Sequence, residues 1–102
     1  MVKMYKLKKN VSDKILKEYG FRYVGNGDYR FYMPSYKWND KTTVYTYFYI
    51  NLEENVFTYE VKSEGSIYFP YYTEKNSLVN QTIEENINKE IEKLIKRGIL
   101  KR

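Results

Sequence analysis

Neither cysteine nor histidine occurs anywhere in the chain. The first absence excludes disulfides and thiolate metal sites. The second removes the commonest general base and the commonest zinc ligand. Alanine is missing too, and proline occurs only at Pro34 and Pro70. No run approaches the roughly 20 apolar residues that a membrane-spanning helix needs. Residues 1–10 alternate lysine with apolar positions and lack the apolar centre of a signal peptide. A cytoplasmic location is the expectation. No internal repeat, low-complexity tract or Pro/Gly/Ser-rich linker interrupts the 102 residues, so residues 1–102 read as a single α+β domain.

The formal charge is +5, and it is uneven. Residues 1–30 carry eight Lys/Arg against three Asp/Glu, residues 31–65 three against five, and residues 66–102 seven against five. Such a balance favours an acidic partner through long-range attraction. Coding in an AT-rich genome is the simpler account: the chain is rich in Lys, Asn, Ile and Tyr, and 14 of its 18 cations are lysine.

Met4 to Lys8 reads as a short first strand. Ser12 and Asp13 then open a helix, as N-cap and as first-turn negative charge. Gly20-Phe21 closes it after about two turns with a left-handed cap and a hydrophobic residue behind. The turn Gly25-Asn26-Gly27 announces a hairpin. With Val24 facing Asp28, Tyr23 opposes Tyr29, Phe21 opposes Phe31, and Arg22 meets Arg30 on the other face near Tyr32. Pro34 to Thr42, with Tyr36 and Trp38, reads as a loop.

From Thr43 to Leu52 the chain alternates, with Val44, Thr46, Phe48, Ile50 and Leu52 on one face and Tyr45, Tyr47 and Tyr49 on the other. Val56 to Lys62 is its hairpin partner. One residue of slip there flips every side chain. An even-membered loop places Phe57, Tyr59 and Val61 beside the aliphatic face and leaves the tyrosine row outside. A three-residue loop gathers all the rings on one face. The first is preferred, since it yields one aliphatic core face. Ile67 to Tyr72 reads as a last strand, at an edge because of Pro70. Thr82 and Glu85 have capping-box spacing ahead of an apolar stripe, Ile83, Ile87, Ile91, Leu94 and Ile95. Gly98-Ile99 repeats the earlier stop signal. The expected fold is α+β: a twisted antiparallel sheet of four to five strands, with a short N-terminal and a longer C-terminal helix packed on one face. Its core should include Ile15, Leu16, Phe21, Phe31, Phe48, Ile50, Phe57, Ile87, Ile91 and Leu94.

No constellation of reactive groups stands out. Glu53 and Glu54 sit in a turn, and Glu60 and Glu64 on a solvent face, without the cleft a carboxylate pair needs. Asp13, Asp28 and Asp40 have no metal-loop spacing. A strand, not a helix, follows Gly25-Asn26-Gly27, so that turn does not cradle phosphate. The expectation is no enzyme, no catalytic residue, no metal and no cofactor.

The anomaly is tyrosine, 13 in all. A row of rings on a sheet face suits protein docking, and with nearby cations it also suits stacking of single-stranded bases. The candidate docking residues are Tyr45, Tyr47 and Tyr49, with Tyr59, Tyr68 and Trp38 as neighbours. Arg22 and Arg30 form a charged rim. Lys6, Lys8 and Lys9 join them as the nucleic-acid candidates of the alternative reading, which lacks any recognised nucleic-acid module.

The stretch Met4-Tyr5-Lys6-Leu7-Lys8 through Ile15-Leu16-Lys17-Glu18-Tyr19-Gly20-Phe21, the tyrosine-rich hairpin after it, and the tail Ile91 to Arg102 resemble small phage and prophage proteins of AT-rich Gram-positive bacteria. That resemblance carries over no functional residue. It implies a mobile-element setting, in which small non-enzymatic proteins bind and block host proteins, CRISPR effectors and other defence systems among them. The expectation is a protein that binds and inhibits a host complex.

Overall fold

The computed structural model describes residues 5–39, 42–64 and 78–101. In chain order these form β1 (Lys6–Leu7), α1 (Asp13–Tyr19), β2 (Arg22–Gly25), β3 (Asp28–Asn39), β4 (Thr42–Asn51), β5 (Val56–Glu64), α2 (Leu78–Lys96) and β6 (Leu100–Lys101). Strands β2 to β5 make a twisted antiparallel meander in sequence order, and β1 pairs with β6 in a separate two-stranded ribbon. The α+β architecture, with the shorter helix first, follows the sequence pattern. The expected strand at Ile67 to Tyr72 lies outside the described residues.

The two glycine stops act as the sequence suggests. At the end of α2 the Ile99 amide donates to the Leu94 carbonyl at 3.0 Å, and the Gly98 amide donates to that of Ile95 at 3.0 Å. These two bonds define a Schellman cap, with Ile99 buried behind it. Gly98 takes φ +81, and a Cβ there would meet nothing within 4 Å. A side chain at Gly98 therefore has room but not the backbone conformation. Replacing Gly98 by Val should cost about 1–2 kcal/mol, purely from left-handed strain. Urea denaturation measures it, and Gly98→Asn should cost less because asparagine tolerates that region.

The helix begins earlier than the capping-box spacing suggests. Thr82 lies inside α2, its hydroxyl donating to the Leu78 carbonyl at 3.0 Å. Back-bonding to the preceding turn satisfies the hydroxyl without ending the helix.

The β2–β3 hairpin keeps the expected partners Arg22↔Arg30 and Tyr23↔Tyr29, but Gly25, not Val24, faces Asp28. The turn is two residues, Asn26 (φ 53) and Gly27 (φ 81). Both central residues have positive φ, which matches the twist of the flanking strands. A bulge between Tyr23 and Gly25 absorbs the extra residue.

The segment expected to loop from Pro34 is instead strand, since β3 continues to Asn39 opposite β4. Two register shifts, Pro34/Tyr36 and Lys37/Asn39, make this possible. The first sits where a proline without an amide hydrogen is tolerated. Ser35 is buried there, its hydroxyl donating to the Val44 carbonyl at 3.1 Å and accepting from Thr46 at 3.1 Å. From α2, the Asn86 amide donates to the Ser35 carbonyl at 2.7 Å. The irregular strand is thus tied to both the sheet and the helix.

One buried cluster joins the inner sheet face to the helices: Val44, Phe48 and Ile50 from β4 with Ile83, Ile87, Ile91 and Leu94 from α2. Leu16 of α1 and Leu7 and Leu100 of the small ribbon complete it. Of the expected core, Ile15, Phe31 and Phe57 are partly buried at its margin, and the others are inside.

Candidate functional site

The loop between β4 and β5 decides which rings face outward. Asn51 pairs with Val56, leaving a four-residue connection, so Ile50 meets Phe57, Phe48 meets Tyr59 and Thr46 meets Val61. The even-membered register therefore holds. Tyr45, Tyr47 and Tyr49 stand on the face opposite the core, half-buried.

Strand register turns that face into a grid of three strands by three rows. Tyr49 lies between Arg30 and Thr58, Tyr47 between Tyr32 and Glu60, and Tyr45 between Pro34 and Lys62. Tyr47 is the centre. Its ring runs near-parallel to Tyr32 (centroids 5.5 Å, 27°) and to Tyr49 (6.4 Å, 14°), while Tyr32 meets Tyr45 edge-on at 5.8 Å. The Lys62 ammonium sits over the Tyr47 ring, 5.3 Å from its centroid. Glu60 accepts a hydrogen bond from the Tyr49 hydroxyl at 2.9 Å and pairs with Lys62 at 3.6 Å. Arg22, opposite Arg30 on β2, extends the first row outward, and both are exposed.

Tyr32 was not among the sequence candidates, yet it is the most exposed ring of the grid, at 58%. Its parity with Arg30 in the β3 alternation is the signal that identifies it. Tyr59 does not belong to the grid. The loop that exposes the tyrosine row turns Tyr59 inward against Phe48, with centroids 6.1 Å apart. Trp38 is part of β3, its side chain outside the description, and Tyr68 lies outside the described residues. Lys6, Lys8 and Lys9 are exposed on and after β1, which is not one of the three strands of the grid.

Tyrosine–carboxylate bonds recur among the described residues, at Tyr49, Tyr29 and Tyr19. Burial, then the bond to Glu60, pushes the Tyr49 hydroxyl up to about 12. The bond to Asp13 at 2.5 Å, then burial, pushes Tyr29 to about 12 and holds the Asp13 carboxyl below its ordinary value. Tyr19, bonded to Glu90, is raised as well, chiefly by burial.

In the unfolded chain these hydroxyls ionise near pH 10. The folded state therefore holds protons that the unfolded state has lost, and stability falls as pH rises from about 10 to about 12. Below the unfolded value that contribution is fully present. An alkaline titration of tyrosinate absorbance should show a late-ionising set, and Tyr49→Phe should remove one member from it. Ionisation of every tyrosine in one step near pH 10, with the fold intact, would contradict the three bonds.

Among the described residues no group of His, Cys, Asp or Glu could hold a metal ion, and no helix is long and apolar enough to cross a membrane. What the grid offers is hydroxyl-tipped aromatic edges held in fixed register, with cations at the margin.

No known family model matches the chain, and no curated protein is similar to it in sequence. The fold is similar to the crystal structure of a DUF1831 family protein from Lactobacillus plantarum, with a TM-score of 0.68 and 15% identity, covering 95% of this chain and 84% of that one. At that identity the likeness shows the α+β fold alone.

Proposed function

We propose that this protein is a non-enzymatic binding factor that docks a protein partner on the outer face of its sheet, with Tyr47 at the centre and Tyr32 as the most accessible ring. The observation that carries this is how little of the central rings is open. Tyr45, Tyr47 and Tyr49 are half-buried although they lie opposite the core, and Lys62 covers one side of Tyr47. Base stacking needs open ring faces. Packed rings that present edges and hydroxyls instead resemble the rigid amphipathic anchors of protein interfaces.

The grid supplies less than half of the surface that such a role needs. Strands about 4.8 Å apart and same-face residues about 6.8 Å apart give the grid a footprint of roughly 300 Å². A stable interface buries about 800 Å² on each partner. The grid is therefore the centre of an interface, with Arg22, Arg30 and the strand ends as its rim.

The finer reading, an inhibitor of a host complex acting in the host cytoplasm, rests on the resemblance of the chain's two ends to phage and prophage proteins. The test is capture from a nuclease-treated lysate of a Gram-positive host on the immobilised protein. The proposal expects a partner protein retained at stoichiometric amounts after digestion. Retention that disappears on digestion would assign the binding to nucleic acid.

A further inference from the structure

The fold gathers cations from both ends of the chain. Lys6 of β1 stands directly opposite Lys101 of β6, and the Lys8 amide donates to the Ile99 carbonyl at 3.0 Å. Leu7 and Leu100 point into the core, so Lys6, Lys8 and Lys101 project from the outer side of the ribbon, with Lys9 following. Like charges paired across strands are unfavourable by themselves.

The ribbon's β6 follows directly on the end of α2, and the end of α1 lies beside that same helix end. The last turns of α1 and α2 flank an open groove of about 400 Å³ lined by Glu18, Tyr19, Lys93, Lys96 and Arg97. The nearby carboxylates are Glu18, Glu90 and Glu92; Glu90 already accepts the Tyr19 hydroxyl, and Glu92 is engaged as well. Among the described residues no ion pair engages any of these cations.

Helix dipoles account for a small part of this charge. Each helix C-terminus carries about −0.5 charge, so two of them offset about one cation. Seven cations, Lys6, Lys8, Lys9, Lys93, Lys96, Arg97 and Lys101, face three carboxylates here, a local excess of four out of the formal +5 of the whole chain.

We propose that this end of the molecule is a binding site for the phosphate backbone of a single-stranded nucleic acid, without sequence preference. Six of the seven cations are lysines, point charges on flexible stems, where a single anion is typically held by a converging arginine fork. They are spread along a ribbon and two helix ends, which suits an extended polyanion. Lys6 and Lys8, same-face residues of one extended segment, are about 6.8 Å apart along it. The site does not depend on the proposed docking role of the sheet, since α2 packs on the inner face and the tyrosine grid occupies the outer one.

The experiment is fluorescence anisotropy with a labelled oligodeoxythymidylate of about 20 nucleotides, at several salt concentrations. About five phosphate contacts give a slope near −3.5 in log affinity against log salt, so raising salt from about 100 to about 200 mM should weaken binding about tenfold. The double variant Lys8→Glu with Arg97→Glu, both exposed, should lose at least tenfold and show a flatter slope. Tyr47→Ala should bind the oligonucleotide like the wild type, which separates this site from the sheet face. Circular dichroism establishes that the double variant is folded, and the wild-type salt slope tests the site without any variant. The proposal is overturned by no wild-type binding at low salt, or by equal binding of the folded double variant. Retention of polyglutamate in place of the oligonucleotide would also overturn it, assigning the surface to acidic protein.

Discussion

Replacing Ile91 by Ala is expected to destabilise the fold by about 2–5 kcal/mol, the range for truncating a fully buried aliphatic side chain. Ile91 is 2% exposed and belongs to the cluster that joins α2 to Val44, Phe48 and Ile50 of the sheet. The loss combines the transfer free energy of the removed carbons with the cavity they leave in a close-packed interior. Domains of this size are stable by only about 5–15 kcal/mol. The variant should therefore melt on the order of 10–30 °C lower. Lys89→Ala, on the exposed face of the same helix, should stay within about 0.5 kcal/mol. A change at Ile91 within experimental error would mean that α2 does not close the core.

Replacing Tyr47 by Ala should reduce affinity for the protein partner by about thirtyfold or more, corresponding to a hot spot of at least about 2 kcal/mol. The sequence alone suggests that such a change leaves stability nearly untouched. The grid modifies that expectation. Tyr47 loses contact with Tyr32, Tyr49 and the Lys62 ammonium, and ring pairs contribute about 0.5–1.5 kcal/mol each. A stability cost of about 1 kcal/mol should accompany the loss of binding. Tyr32→Ala is the cleaner companion: its ring is 58% exposed, so binding should fall with less effect on folding. Calorimetric titration of the isolated partner with each variant, beside its melting curve, separates the two effects. Undiminished binding by both variants would remove the outer face from the interface.

Local grammar carried most of the fold. Gly20-Phe21 and Gly98-Ile99 were legible because a left-handed glycine followed by a buried hydrophobic residue is a physical stop, and both form the expected bonds. The parity of β4 was legible because Val44, Thr46, Phe48 and Ile50 alternate strictly with tyrosines. What escaped depends on distance or on exceptions to local rules. The pairing of β1 with β6 joins Lys6 to Lys101 across nearly the whole chain, and no pattern within either dipeptide encodes it. The strand through Pro34 and Ser35 reads as a loop because both residues favour turns. Only the bulge and the bonds of Ser35 to Val44 and Thr46 reveal why it stays extended. Thr82 mimicked a helix cap, since a hydroxyl bonded to its own helix looks the same in sequence as one that starts it.

The candidate site was legible as a row but not as a grid. Tyr45, Tyr47 and Tyr49 share a face on alternation alone. Adding Tyr32, Glu60 and Lys62, and removing Tyr59, required the two neighbouring registers. The basic end was less legible still. Its two groups of lysines lie at opposite ends of the chain, and those of α2 look like ordinary complements to a helix dipole until β6 brings β1 beside them.

Tyr32 and Tyr23 offer the most direct test of the central claim, because they are similarly exposed, at 58% and 49%, on opposite faces of the same sheet. Nitration of accessible tyrosines, read residue by residue by mass spectrometry, should modify both in the free protein. In the complex recovered from nuclease-treated lysate, Tyr32 should be shielded while Tyr23 stays reactive. Tyr32 reacting as freely as before, with Tyr23 protected, would place the partner on the other side and contradict the account.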